Sequence, residues 1–125
     1  VDGQDAYEKA NSRDFNLVLT DQNMPRMDGI SLTKKLRENP QFTTTPILIL
    51  HSENDFRVPL EQGEQWFRAL RYFNKTAEFV IFPRENHNLT RTGEPKHLVE
   101  SMEWQMYWFD RYIEGKTSAV PPNRR

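Results

Sequence analysis

The stretch Pro46-Ile-Leu-Ile-Leu50 constrains this chain more than any other. Its apolar run is too short for a helix and shows no polar alternation. It stops at a polar turn, His51-Ser-Glu-Asn-Asp55. A strand covered on both faces has this composition, and such strands belong to parallel sheets flanked by helices. Two further stretches read the same way, Asn16-Leu-Val-Leu-Thr-Asp21 and Thr76-Ala-Glu-Phe-Val-Ile-Phe82.

Helical patterns alternate with these runs. Asp2-Gly3 is a turn signal, and Ala6, Tyr7 and Ala10 follow at helical spacing, which predicts a helix over about 4–12. In the loop Asn23-Met-Pro-Arg-Met-Asp-Gly29, Pro25 is the breaker and Asp28 the N-cap of a second helix. That helix turns Ile30, Leu32, Thr33 and Leu36 to one side and ends before Pro40. Pro59 stands at a first helical position, with Leu60, Trp66, Phe67, Leu70 and Phe73 behind it. Pro95 opens the longest helix, with Leu98, Val99, Met102, Met106, Phe109 and Ile113 as its apolar stripe and Gly115 as its stop. The expectation is an α/β fold: a three-layer α/β/α sandwich around a short parallel sheet of three strands in the order 1-2-3. Three helices should cover one face and the long C-terminal helix the other. The strand at 16–21 has no neighbour on its outer side, so its edge should pair with a second copy or exchange segments with it, giving a dimer.

The 125 residues suit a single domain, 1–125, with residues 117–125 as a flexible tail. Without cysteine there is neither a disulfide framework nor a thiolate metal site. A net charge of −1 gives no pull toward nucleic acid or an anionic membrane surface. No apolar run reaches the length of a membrane span, no signal-peptide pattern opens the chain, and a cytoplasmic setting is expected.

Residues 1 to about 50 resemble the receiver domain of chemotaxis-type response regulators. The residues that carry this are Asp2-Gly3-Gln-Asp-Ala6, Phe15-Asn-Leu-Val-Leu-Thr-Asp21, Met24-Pro25, Met27-Asp28-Gly29 and Thr45-Pro-Ile-Leu-Ile-Leu50. By the resemblance Asp21 is the phosphoacceptor and the Asn23 carbonyl a ligand of the magnesium ion. The family's acidic pair has no counterpart here, its hydroxyl position holds His51 beside Ser52, and its switch lysine gives way to Pro83-Arg84. Magnesium demands near-octahedral oxygen ligation, so Asp21 and Asn23 alone imply low affinity at most. No other cofactor is expected.

Residues from about 46 to 116 resemble the end of the catalytic domain of prolyl-oligopeptidase-family serine peptidases, the acylaminoacyl peptidases above all. Here Leu50-His-Ser-Glu-Asn-Asp55-Phe-Arg57-Val-Pro59, Phe82-Pro-Arg-Glu-Asn-His87 and Trp108-Phe109 carry the likeness. It implies that Asp55 is the triad acid and His87 the triad base, the carboxylate setting the tautomer of the imidazole. The serine of a Gly-x-Ser-x-Gly elbow is missing. Gly29-Ile-Ser31-Leu-Thr33 lacks the second glycine, which leaves Ser31 an ordinary first-turn residue, and Ser52 lies three residues from Asp55.

Trp66, Phe67, Phe73, Met102, Met106 and Phe109 read as core, His51 as a turn residue and His97 as an exposed helix residue. A carboxylate–imidazole metal site from Asp21, Asp55 and His87 is a further option, since all three lie at strand ends. The reading that accounts for both resemblances is a recombined or engineered chimera. A receiver-like segment, 1–50, joins a peptidase-like segment, 51–116, at one shared strand. The product is a flavodoxin-like/α/β-hydrolase-like hybrid, a scaffold with no intact catalytic site. Two alternatives stand beside it: a serine hydrolase or peptidase remnant using Asp55 and His87, and a truncated phosphoacceptor receiver using Asp21.

Overall fold

The computed structural model describes residues 2–12 and 27–124 and divides the chain into two compact units, Val1–Thr45 and Pro46–Arg125. The division falls at the start of the strand where the two resemblances meet.

In the first unit α1 (Gly3–Ser12) and α2 (Gly29–Leu36) are both capped by aspartate. Asp2 Oδ1 accepts the N–H groups of Gln4 at 3.0 Å and Asp5 at 3.1 Å. Asp28 Oδ1 accepts that of Ser31 at 2.7 Å, which satisfies donors that the first helical turn leaves open. Ala10, Met27, Leu32, Leu36 and Phe42 form the core of this unit, with Ala6 and Tyr7 packed against it. Gly3 meets Met27 so closely that a Cβ would lie 1.9 Å from the Met27 carbonyl oxygen, a contact open to glycine alone. The strand expected at 16–21, its free edge, Asp21 and Asn23 lie outside the described residues.

The second unit contains β1 (Ile47–Ser52) and β2 (Ala77–Phe82), paired in parallel from Ile47 opposite Ala77 to Ser52 opposite Phe82. The described residues form a sheet of two strands, and these are the two of the three expected strands that fall within them. The crossover between them is α3 (Leu60–Tyr72). Its 13 residues span roughly 20 Å, the same as a six-residue strand, so it returns the chain to the start of the next strand. Asn74 (φ 53°) turns the chain out of α3, while Lys75 N–H bonds the Leu70 carbonyl at 2.8 Å.

Side chains alternate across the two strands and so sort the layers. On one face α3 packs on His51 and Phe79: the Phe67 and Phe79 rings are 5.8 Å apart, and a Cβ on Gly63 would lie 2.9 Å from His51 Nδ1. On the other face Phe82, with Leu48, Leu50 and Val80, packs against Trp104, Tyr107 and Trp108 of α5 (Pro95–Tyr112). Between β2 and α5 lies one helical turn, α4 (Leu89–Thr92), with Leu89 in the same cluster. This unit is thus itself layered helix, sheet, helix.

Three sequence expectations are corrected here. The α5 stripe is the wrong side of the helix: Val99, Met102, Met106 and Ile113 are exposed, and His97, Ser101, Trp104, Tyr107 and Trp108 are buried. The two stripes lie roughly 150° apart at 100° per residue, and the ring-bearing one takes the core. Phe73 is exposed because α3 ends at Tyr72 and the chain turns away. His51 belongs to β1 and not to the turn after it. The stretch beyond α5 folds back on it: Lys116 N–H bonds the Asp110 carbonyl at 2.8 Å, Arg111 reaches the Thr117 carbonyl at 2.8 Å, and Ala119 packs on the core.

Phe82, 1% exposed, should therefore cost about 3–5 kcal/mol when cut to alanine. Met102→Ala should stay within about 0.5 kcal/mol of the parent. Urea unfolding of both variants checks the assignment, and equal losses would reverse the two sides of α5.

Candidate active site

The parallel register brings Ser52 and Phe82 side by side at the carboxyl ends of the strands, where open α/β sheets place their ligands. Main-chain bonds carry the pairing past the strand ends into the loops. Glu53 N–H reaches the Phe82 carbonyl at 2.9 Å, and Asn54 N–H the Glu85 carbonyl at 2.9 Å. Glu53 Oε2 accepts the N–H of Arg84, a residue at φ 64°, at 2.8 Å. The loops that carry Asp55 and His87 are thereby tied together before either side chain is considered.

Asp55 Oδ1 accepts the N–H groups of Arg57 (3.0 Å) and Val58 (2.9 Å), which closes the turn. Its Oδ2 is left for His87 Nδ1, 2.9 Å away. The carboxylate cannot donate, so Nδ1 carries the proton, and in the neutral imidazole Nε2 presents its lone pair. The Asp55 side chain is 9% exposed and that of His87 34%, so solvent and solutes reach the imidazole while the carboxylate is covered. Among the described residues no group hydrogen-bonds His87 Nε2. Burial alone would push the Asp55 carboxyl upward. The Val58 N–H, His87 and the Arg57 N–H outweigh it and hold that carboxyl below its ordinary range.

The other sequence candidates do not join this pair. Ser52 is 6% exposed, closed to a substrate. Ser31 is an exposed residue in the first turn of α2, as the sequence reading expected. His51 donates from Nε2 to the Val58 carbonyl at 2.9 Å, bracing the turn that holds Asp55. With Asp21 and Asn23 outside the described residues, the magnesium site and the three-residue metal site built on Asp21 have no described geometry.

The sequence reading missed Glu85 and took His97 for an exposed residue. Both are buried, with Glu85 Oε1 2.6 Å from His97 Nδ1 and 2.8 Å from the Glu94 N–H. Glu94 in turn forms a fork with Arg84, Nε to Oε1 at 2.8 Å and Nη2 to Oε2 at 2.9 Å. Ligand atoms of Glu85, Glu94 and His97 lie within 4.8 Å of one another, close enough to hold an ion. Each of these residues already has a partner inside the chain. The available signal was the spacing His97, Ser101, Trp104 and Trp108, which puts the histidine on the core side of α5.

A parallel α/β unit with this pair at adjacent strand ends has the arrangement of an α/β-hydrolase fragment. The model of the prolyl oligopeptidase family matches residues 6–116, and the chain belongs to that family. It is 45% identical over 69 residues to the uncharacterized peptidase YuxL of Bacillus subtilis, covering 55% of this chain and 10% of that protein. It is also 41% identical over 65 residues to a gliding motility regulatory protein of Myxococcus xanthus, covering 50% of this chain and 8% of that one. Among solved structures, an acylaminoacyl peptidase of Pyrococcus horikoshii matches with TM-score 0.57 and 25% identity over 68% of this chain and 13% of that one. The chain thus spans about a tenth of the length of the curated relatives it matches. Among the described residues no helix is long and apolar enough to cross a membrane.

A lowered Asp55 carboxyl gives a pH prediction with a definite sign. A group whose folded value lies below its unfolded one stabilises above the unfolded value, about 3.9, and loses that contribution as pH falls through the folded value. Stability should therefore decline below about pH 4, with a smaller decline in Asp55→Asn, as read by urea unfolding across that range.

Proposed function

We propose that Asp55 and His87 form the acid–base arm of a serine-peptidase site, and that the described residues hold that arm without a nucleophile. The observation that carries this is the 2.9 Å bond from His87 Nδ1 to a covered carboxylate, with Nε2 left open. In peptide hydrolysis by such a site, Nε2 takes the proton of the attacking hydroxyl and later gives it to the leaving amine, and the carboxylate stabilises the imidazolium formed between those steps. Peptide bonds of N-acylated substrates are the class suggested by the acylaminoacyl peptidase likeness. Family membership and the peptidase relative support the reading. Where the described residues alone surround Nε2, the pair is left to act on water or on an added acyl donor, which supplies only a small part of a triad's acceleration.

The chimeric origin is a second reading, with two observations in its favour. The regulatory-protein likeness covers half of the chain, and the compact units divide at Thr45–Pro46. Against it, the family match runs through that point from residue 6 to residue 116. Under this reading Asp21 would be the phosphoacceptor, and a small phosphodonor with magnesium would add one phosphoryl group to the intact mass.

A fluorophosphonate probe and an activated acetate ester test the main reading together. The probe should leave the intact mass unchanged. Ester cleavage should not exceed that of free imidazole at equal concentration by more than about tenfold, and His87→Ala should remove whatever excess there is. A fluorophosphonate adduct lost in His87→Ala would show that the arm does serve a nucleophile.

A further inference from the structure

Glu85 is the least expected residue of the second unit: a carboxylate 6% exposed, two residues before His87. Burying a carboxylate is costly unless it is paired and hydrogen-bonded, and a well-packed apolar pair of similar volume is often no less stable. Stability therefore gives little reason for the pair, and position gives a good one. The main-chain carbonyl of Glu85 accepts the N–H of Asn54, the neighbour of Asp55. Its side-chain Oε1 accepts from both His97 Nδ1 and the Glu94 N–H at the start of α5. Its other oxygen faces Gly93, where a Cβ would lie 2.9 Å from Oε2 and 2.5 Å from the Leu89 carbonyl, so the chain passes close over the carboxylate. His97 is seated by the Phe82 ring, 5.9 Å away and edge-on. One residue thus ties both ends of the loop that carries His87, with one link to the Asp55 turn and one to the amino end of α5.

We infer that Glu85 is a positioning residue for His87, acting through His97 and the Glu94 N–H to hold the imidazole within reach of the Asp55 carboxylate. The inference rests on the Asp55–His87 pair being the acid–base arm proposed above. The mechanism is entropic and geometric. The segment from Pro83 to Glu94 contains only one helical turn of its own, and without its central tie it samples orientations in which Nδ1 does not meet Oδ2. Both contacts of Glu85 use the same oxygen, so glutamine can keep them through its carbonyl oxygen while losing the charge.

The ring nitrogen shifts of His87 in a nitrogen-15-labelled protein read its tautomer directly. In the parent His87 should be held in the Nδ1–H form. Asp55→Ala should abolish that signature. Glu85→Ala should abolish it as well, in a protein whose circular dichroism still reports a folded chain, and Glu85→Gln should restore it. If Asp55→Ala removes the signature but Glu85→Ala keeps it, Glu85 has no positioning role and the arm itself stands. If Asp55→Ala leaves the tautomer unchanged, the arm and the inference both fail. Should Glu85→Ala not fold, His97→Leu decides: loss of the Nδ1–H form supports the role, and its retention overturns it.

Discussion

The structure of the second unit depends on the register of one parallel ladder. Because Ser52 stands opposite Phe82, the two loops leave the sheet at the same level, and their first N–H groups go on pairing beyond the strands. A slip of one residue would turn every side chain to the other face. Depending on which strand slipped, Phe82 would leave the tryptophan cluster or His51 the α3 side, and in either case Asp55 would no longer meet His87. Core packing and site geometry are therefore set by the same few bonds.

Around that ladder Asp55 gives one atom to each of its tasks. One Asp55 oxygen closes its own turn and the other holds the imidazole. His51 braces the same turn from within the strand, and Gly63 leaves room for it beneath α3. The loop after β2 is tied at several points: Arg84 through its main chain to Glu53 and through its side chain to Glu94, and Glu85 to Asn54, Glu94 and His97. An exposed histidine is held in this way by groups that are themselves held.

Much of this was legible in the sequence, and the reasons for the failures are physical. The strands at Ile47–Ser52 and Ala77–Phe82 followed from short apolar runs, and α3 and α5 from the prolines before them. The pairing of Asp55 with His87 came from motif resemblance, because residues 32 apart leave no periodic trace. The buried side of α5 was misread since Val99, Met102 and Met106 form as regular a stripe as Trp104 and Trp108, and periodicity cannot rank ring area against chain flexibility. Glu85 escaped notice because a buried carboxylate is defined by partners, and its partner His97 lies 12 residues on, in a helix where histidine usually faces solvent. Phe73 continues the apolar spacing of α3 past the point where the helix stops.

Every rung of the ladder joins residues about 30 apart, and closing a loop of that length costs about 3 kcal/mol in chain entropy before any rung forms. The crossover helix lowers this cost, since a formed α3 already carries the chain back along most of the strand's length. A helix made locally thus favours sheet pairing in this unit. The bond between Asp55 and His87 lies beyond the last rung, so its geometry depends on the completed register.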